Sequence, residues 1–380
     1  MDFQLTEEQS LVRDMARDFA RNELLPRARK HDAEGKIDPE VFAMISEMGL
    51  WGLTIPEEFG GAGMGNLELA LVLEEINAGC ASTGVTLSVH NSLLGAPIWR
   101  FGTQEQKEKW LPALASGESI GCYCLTEPNA GSDAAAIATS AKRDGDEWVI
   151  DGTKVWVTNG GIAKLAIVYA RTNTEVSKAK GISAFLVPLD TPGVRVGKTE
   201  KKTGIRGSST TEIIFDGARL PADALLGEEN SGFKIAMDTL DGGRIGIAAQ
   251  AVGIGRACLD ASVRYAKERE QFGRPIGAFQ AIQWKLADMS TQIDAARLLV
   301  HRAALVRDSG DRVSTAAAQA KLFAAKVCNF AADECLQIHG GAGYTDDFEV
   351  ERLFRDARIT EIYEGATDIQ RIVIARSLLA

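Results

Sequence analysis

In the stretch EIYEGATDIQR, a lone carboxylate, Glu364, stands between Tyr363 and Gly365, just ahead of the apolar-periodic Ile369, Ile372 and Val373. That periodicity predicts a helix, so Glu364 lies on a bend at a helix mouth. Two chemistries fit the position. A surface acid there favours the helix N-terminus through the macrodipole. A carboxylate aimed into the protein is instead a positioned proton acceptor. The segment alone does not choose.

Four other stretches carry groups able to meet a ligand. CLTEPNAGSDAAA leaves a strand at Cys124, Leu125 and Thr126, turns at Glu127-Pro128 and presents Asn129, Gly131, Ser132 and Asp133. It reads as a plain connection or as a ligand loop on a rigid β scaffold. KVWVTNGG sets Trp156 and Thr158 on one face of a strand, about Val157. A Trp beside a hydroxyl can wall an aromatic cofactor, or simply fill a core. LQIHGGAGY ends a helix at Gly340-Gly341: a C-cap, or a place where bare amides admit a diphosphate. REQFGRPIGAFQ breaks two long helices, and its Arg269 and Gln280 suit an anionic or polar ligand.

Other motifs fail on context. GVRVGKT at Gly193–Thr199 misses a phosphate-loop spacing by one residue and runs between strands rather than into a helix. GGAGMG near Gly61 follows no strand. There is no HExxH, the four histidines are dispersed and the Cys122-x-Cys124 pair has no Cys or His partner nearby, so no metal site is expected.

The chain that must position these groups has 380 residues, enough for two or three domains. Its 42 Lys and Arg stand against 52 Asp and Glu, a net charge of −10 with no basic tract, which argues against nucleic acid or an anionic membrane as partner. An anionic small ligand held by a few local cations stays possible. No apolar run approaches the roughly 18 residues needed to span a bilayer. The start, MDFQLTEEQS, has neither the basic-then-apolar order of a secretory signal nor the Arg-rich texture of a transit peptide. Six scattered cysteines, mostly in apolar segments, read as small hydrophobes in a reducing cytoplasm, without a disulfide framework.

Three textures follow one another. Residues 1–120 read as helices, opened by a capping box at Thr6-Glu7-Glu8-Gln9. Residues 121–228 alternate apolar and polar residues in about six or seven short strands, with Asp151-Gly152 read as a hairpin turn. Residues 229–380 form long, Ala-rich helices that pack as a bundle. The fold class is multi-domain α and β.

Taken together and in this order, CLTEPNAGSD, KVWVTNG, LDGGRIGIAAQ, YAKEREQFGRPIGAFQAIQWKLADM and QIHGGAGYTDDFEVERLFRDARITEIYEGATDIQRIVIAR resemble the acyl-CoA dehydrogenase family over essentially the whole chain, most closely its short-chain, butyryl-CoA-type branch. The resemblance implies an N-terminal helical domain, a central β-domain and a C-terminal four-helix bundle, with FAD between the last two. Cys124, Leu125, Thr126, Gly131, Ser132, Trp156, Val157 and Thr158 would then border the flavin. Arg269, Phe272, Gln280, Gln337, Gly340 and Gly341 would reach the FAD of a neighbouring subunit in a homotetramer, and Thr367 and Asp368 would lie by the diphosphate. Ser132, Asp241, Arg244, Tyr363 and Gly365 match substrate-side positions. Glu364 matches the catalytic base, taking the α-proton of an acyl-CoA thioester while a hydride leaves the β-carbon. Electrons would pass to an electron-transferring flavoprotein.

Two details refine this. Relatives of the isovaleryl and long-chain type carry their base immediately before the Arg of the Asp-x-x-Arg helix; here that position is Gly243. Family members often have Thr where this chain has Ala366, which removes one expected diphosphate contact and leaves open whether Thr367 replaces it. Substrate choice between linear, branched and cyclic acyl groups would be set near His90, Asn91 and Gly243. An oxygen-reducing acyl-CoA oxidase and a helical scaffold without activity are the other readings; the absence of an extra C-terminal domain speaks against the first, and intact Glu364, Trp156 and Arg269 against the second.

Overall fold

Thr6 opens the first helix as its sequence predicts. Its hydroxyl accepts from the Gln9 amide at 3.2 Å, and the Gln9 side chain accepts from the Thr6 amide at 3.0 Å. The structure, a computed structural model, describes residues 4–380; the first three residues of the N-terminal stretch searched for a leader lie outside it. α1 (Glu7–Phe19) passes through a π-helical turn, Ala20–Leu24, into α2 (Leu25–Glu34), which Gly35 ends at φ +67°. α3 (Pro39–Glu47), α4 (Asn66–Gly79), α5 (Ala81–Ser88), α6 (Ala96–Phe101) and α7 (Gln104–Ala115) follow, with a second π-helical stretch, Val89–Gly95, joining α5 to α6.

The chain then forms eight strands: β1 (Gly121–Cys124), β2 (Ser140–Asp144), β3 (Glu147–Thr158), β4 (Leu165–Arg171), β5 (Ile182–Pro188), β6 (Val194–Thr199), β7 (Thr210–Pro221) and β8 (Leu225–Leu226). Their order is β6-β7-β3-β2-β4-β5-β8, with β1 parallel to β4. The strand β4, buried from Leu165 to Ala170, is the sheet's apolar centre. Asp151-Gly152 is not the expected hairpin turn. It lies inside β3 at a bulge, where the pairing shifts from Ile150–Ala218 to Gly152–Phe215. Gly152 has φ +148°, and a β-carbon there would come within 2.4 Å of Thr139 Oγ1, so this glycine serves a close backbone approach. The turn between β2 and β3 is instead at Gly145, φ +62°, closed by the pair Asp144–Glu147.

Helix returns as α8 (Gly232–Glu268), α9 (Gln280–Asp308), α10 (Ser314–His339), α11 (Val350–Ala357) and α12 (Thr367–Leu379). α8, α9 and α10 pack on one another, and α12 lies along α10. The expected loop between α8 and α9 is a small β-ribbon, Glu270–Gln271 against Arg274–Pro275, with Phe272 (φ +54°) and Gly273 (φ +75°) at its tip.

The main apolar core runs across the chain's two helical parts. α4 is apolar nearly all round, buries Leu67 and every residue from Leu69 to Asn77, and packs against α8 and α9. Its two buried acids are paired: Glu75 accepts from Arg256 at 2.5 and 2.7 Å and from Arg17 at 2.8 Å, and Glu74 accepts from Arg297 at 3.0 Å. Asp308, at the end of α9, caps α4 by accepting from the amides of Asn66 (2.7 Å) and Leu67 (3.1 Å). All six cysteines are free and buried. No helix among the described residues is long and apolar enough to cross a membrane.

Candidate active site

Glu364 sits at φ +53° and Gly365 at φ +91°, two successive left-handed residues directly before α12. A non-glycine residue held there costs about 1–3 kcal/mol and persists only where its surroundings fix it. Three side chains do so. Gln370 Nε2 donates to the carbonyls of Gly365 (2.8 Å) and Glu364 (3.2 Å), Lys321 Nζ donates to that of Gly365 (2.9 Å), and Arg244 Nε approaches that of Glu364 at 3.5 Å. At φ +91° Gly365 holds a backbone conformation that residues with a side chain rarely adopt, and a β-carbon there would also press on Gln370 Nε2 at 2.6 Å.

This turn aims the Glu364 carboxylate inward, onto α8. An added β-carbon at Gly243 would lie 2.9 Å from Glu364 Oε2 and 2.8 Å from Leu93 Cδ2. The carboxylate therefore occupies the space over Gly243. Oε2 is fully enclosed and has no hydrogen-bond partner among the described residues. Burial raises the pKa of Glu364 to about 7, against the pull of the Arg244 and Lys321 cations. A carboxyl poised there is able to take a proton near neutral pH.

Asp241 and Arg244 share the α8 face beside it. Arg244 Nη1 donates to Asp241 Oδ1 at 2.6 Å, and Asp241 Oδ2 accepts from Ser314 Oγ at 2.5 Å. Tyr363 points the other way, its hydroxyl donating to Gln250 Oε1 inside the bundle. Tyr123 of β1 faces the site from the sheet; burial pushes its phenol pKa up, and the charge of Glu364 adds to that.

The residues expected near a flavin divide by exposure. Trp156 sits on a bulge of β3 at φ +60° and is 61% exposed, while Val157 is buried and Thr158 half-buried. Cys124 and Leu125 are buried, with Cys124 Sγ 4.0 Å from Cys122 Sγ, so only their main chain is on offer to a ligand. Gly131 and Ser132 are exposed, and a β-carbon on Gly131 would touch nothing within 4 Å. The ends of that loop are pinned by an ion pair absent from the sequence reading. Lys154, fully buried, donates to Glu127 Oε1 at 2.7 Å and to the Leu125 carbonyl at 3.0 Å. Glu127 also accepts from the amides of Ala138 (2.6 Å) and Thr139 (3.0 Å).

A second exposed group lies apart from Glu364. Arg269, Phe272 and Gln280 flank or form the ribbon between α8 and α9, and Gln337, Gly340 and Gly341 end α10. None shares a hydrogen bond or ion pair with the Glu364 cluster among the described residues. Phe272 is 92% exposed at a left-handed tip, and Gly340 and Gly341 have open space where a side chain would be. Backbone free of side chains at Gly340 and Gly341, the uncovered ring of Phe272 and the guanidinium of Arg269 fit a large planar, anionic group such as FAD; so does the exposed Trp156 on β3. Thr367 donates its hydroxyl to the Glu361 carbonyl at 3.2 Å, and the Asp368 carboxylate pairs with Arg371.

His90 and Asn91, expected to set substrate choice, are wholly buried and hydrogen-bond to the backbone. The His90 ring is wholly buried, accepting from the Gly121 amide at 3.2 Å and donating Nε2–H to the Leu114 carbonyl at 3.0 Å. Burial lowers its pKa to about 4, which keeps that tautomer neutral. Asn91 Nδ2 is spent on the carbonyls of Leu50 and Leu87. From that π-helical stretch it is Leu93 that reaches the site. Lys321 carried one sequence signal: it falls on the same helical stripe as Ala317, Ala324 and Cys328, where a buried side chain is due.

The chain's likeness to known proteins extends over its full length. The chain is 50% identical over 376 residues to the mitochondrial short-chain specific acyl-CoA dehydrogenase of Bos taurus, covering 99% of this chain and 91% of that one. Its fold superposes on butyryl-CoA dehydrogenase from Megasphaera elsdenii with a TM-score of 0.98 at 43% identity, covering all of both chains. A chain from the structure described as the electron transferring flavoprotein of Acidaminococcus fermentans also gives 0.98, at 47% identity and complete coverage of both. Residues 6–118, 122–218 and 230–379 match the N-terminal, middle and C-terminal domains of acyl-CoA dehydrogenase, and the chain belongs to the acyl-CoA dehydrogenase family.

Proposed function

We propose that this protein oxidises a short-chain acyl-CoA to its trans-2-enoyl-CoA, with Glu364 removing the α-proton. The observation that carries the reading is the Glu364 carboxylate placed over Gly243, its Oε2 enclosed and without a hydrogen-bond partner among the described residues. FAD, the cofactor of this family, supplies the hydride acceptor when bound. The chain's residues do the rest. The Glu364–Gly365 turn aims the carboxylate, and its burial makes it a stronger base toward a carbon acid than it would be in water. The Glu364 amide donates to no protein group among the described residues and is free to meet a developing oxyanion on the thioester. Arg244 sets a fixed positive charge beside the reacting end of the substrate.

The flavin roles follow from position. Trp156 and Thr158 would border the ring system, with main-chain contacts from Cys124, Leu125, Thr126, Val157, Gly131 and Ser132. Arg269, Phe272, Gln280, Gln337, Gly340 and Gly341 lie apart from that border and would serve the FAD of a neighbouring subunit in a homotetramer; the exposed Phe272 favours such a partner surface. Thr367 and Asp368 would lie at the diphosphate. Asp241, Ser132, Tyr363 and Gly365 would shape the substrate side, Tyr363 as a buttress through Gln250. An electron-transferring flavoprotein would take the electrons onward, in a cytoplasm that keeps the six cysteines reduced. Domain limits at residues 120 and 228 accord with the change from helix to strand and back.

Anaerobic titration of the holoprotein with butyryl-CoA tests this. Bleaching of the flavin absorbance is expected, with slow reoxidation on admitting air; rapid peroxide formation would mark an oxidase. Glu364→Gln should keep FAD and acyl-CoA binding yet lose bleaching by on the order of 10²–10⁴-fold in rate. Full-rate bleaching by that variant would overturn the assignment.

A further inference from the structure

Lys321 has no role in the chemistry so far, and its setting is unusual. Its side chain is entirely buried, although lysine is among the residues least often fully enclosed without a partner. It stands on α10 in an alanine-rich face, and its single hydrogen bond is to the Gly365 carbonyl, at 2.9 Å. Among the described residues it forms no salt bridge to a carboxylate. The charges that reach it are Glu364 and Glu361, which favour its ammonium, and Arg244, which opposes it. Glu364 in turn feels Arg244 from α8 and Lys321 from α10, and its charge reaches the phenols of Tyr123 on β1 and of Tyr363, whose hydroxyl is turned to Gln250; Asp241 is already paired with Arg244.

A buried ammonium with one carbonyl partner is expensive to keep unless it does something there. We propose that Lys321 is a positioning residue for the dehydrogenation: it clamps the Glu364–Gly365 turn through the Gly365 carbonyl and supplies a positive charge that favours the ionised form of the buried carboxylate, the form that accepts the substrate proton. This rests on Glu364 being the base. Two consecutive left-handed residues need an anchor, and the anchor chosen is a cation where an amide, as in Gln370, would have sufficed for hydrogen bonding. Burial pushes the pKa of Lys321 down to about 8, so the group still carries its proton at neutral pH.

The test compares holoenzyme variants by the pH dependence of kcat/KM with butyryl-CoA. Lys321→Gln keeps a donor for the carbonyl but no charge; Lys321→Met keeps neither; Lys321→Arg keeps both. Removing a nearby opposite charge moves a carboxyl pKa by about one unit or more. The acid limb should therefore move up by about one pH unit in both Lys321→Gln and Lys321→Met, roughly tenfold less activity on that limb, and stay in place in Lys321→Arg. The alkaline plateau should recover in Lys321→Gln but not in Lys321→Met, which separates charge from clamping. Should Lys321→Met fail to fold, the Gln and Arg variants carry the comparison. A second readout needs no turnover: the pH dependence of melting temperature, taken relative to Glu364→Gln in each background, reports the carboxyl's own titration and should shift by the same amount. Unmoved limbs and unmoved melting profiles in Lys321→Gln overturn the proposal. If Glu364→Gln itself bleaches at full rate, it is the assignment of the base that fails instead.

Discussion

Gly243→Ala is a one-carbon perturbation with a defined target. The new β-carbon would stand 2.9 Å from Glu364 Oε2, about 0.5 Å inside the ordinary contact limit near 3.4 Å. The carboxylate must retreat by that distance, because the β-carbon is fixed to the helix while Glu364 ends a side chain. A misplacement of about 1 Å can cost 10²-fold in rate, so half of that predicts roughly a tenfold fall in the rate of flavin reduction. Leu93 Cδ2, 2.8 Å from the same point, is a flexible end and can turn aside. Stability should change little, since the roughly 0.5–1 kcal/mol gained by replacing a helical glycine offsets the crowding. Gly242→Ala supplies the control: its β-carbon would meet nothing nearer than Arg307 Nη2 at 3.9 Å, so it should gain stability and keep activity. The assay is anaerobic stopped-flow reduction with butyryl-CoA beside thermal melting of both variants. A Gly243→Ala enzyme within twofold of the parent rate would refute the placement of the carboxylate over that glycine.

Two further outcomes follow from charged groups. With a folded pKa of about 7 against 4.5 when unfolded, Glu364 holds its proton in the folded protein between those values, so stability should fall by roughly 3 kcal/mol as pH rises from 4.5 to 7 while kcat/KM rises through the same window; melts and rates from pH 4 to 9, with Glu364→Gln as reference, check both slopes. Lys154→Met would strand Glu127, whose pKa is raised by burial but held below its usual range overall by Lys154 and the neighbouring amides. It should cost about 3–5 kcal/mol in urea melts at pH 7, remove the stability now lost as pH falls below 4.5, and loosen FAD retention on gel filtration.

Much of this molecule was legible in its sequence, for identifiable reasons. Capping at Thr6, the long bundle helices and the strand texture all follow from local rules of spacing and hydrogen-bond satisfaction. Glu364 stood out because an acid between Tyr and Gly before a helix is locally odd. What stayed hidden depends on contacts between distant segments. Asp151-Gly152 spells a hairpin, yet it lies inside β3 at a bulge, with Thr139, just ahead of β2, packed against Gly152. His90 and Asn91 look like pocket residues until the carbonyls of Leu114, Leu50 and Leu87 claim their polar atoms. The Lys154–Glu127 pair joins residues 27 positions apart, and no motif marks it.

Asp308 carries a lesson about taking the molecule apart. The amides that begin α4 are satisfied from 242 positions away, and the acids of α4 find their arginines largely on α8 and α9. A fragment ending before the sheet would therefore lose a helix cap, two ion-pair networks and the cover over an apolar girth in a single stroke. Boundaries visible along the chain are not seams in its cooperativity: heating should melt the helical first third together with the last, in one calorimetric event.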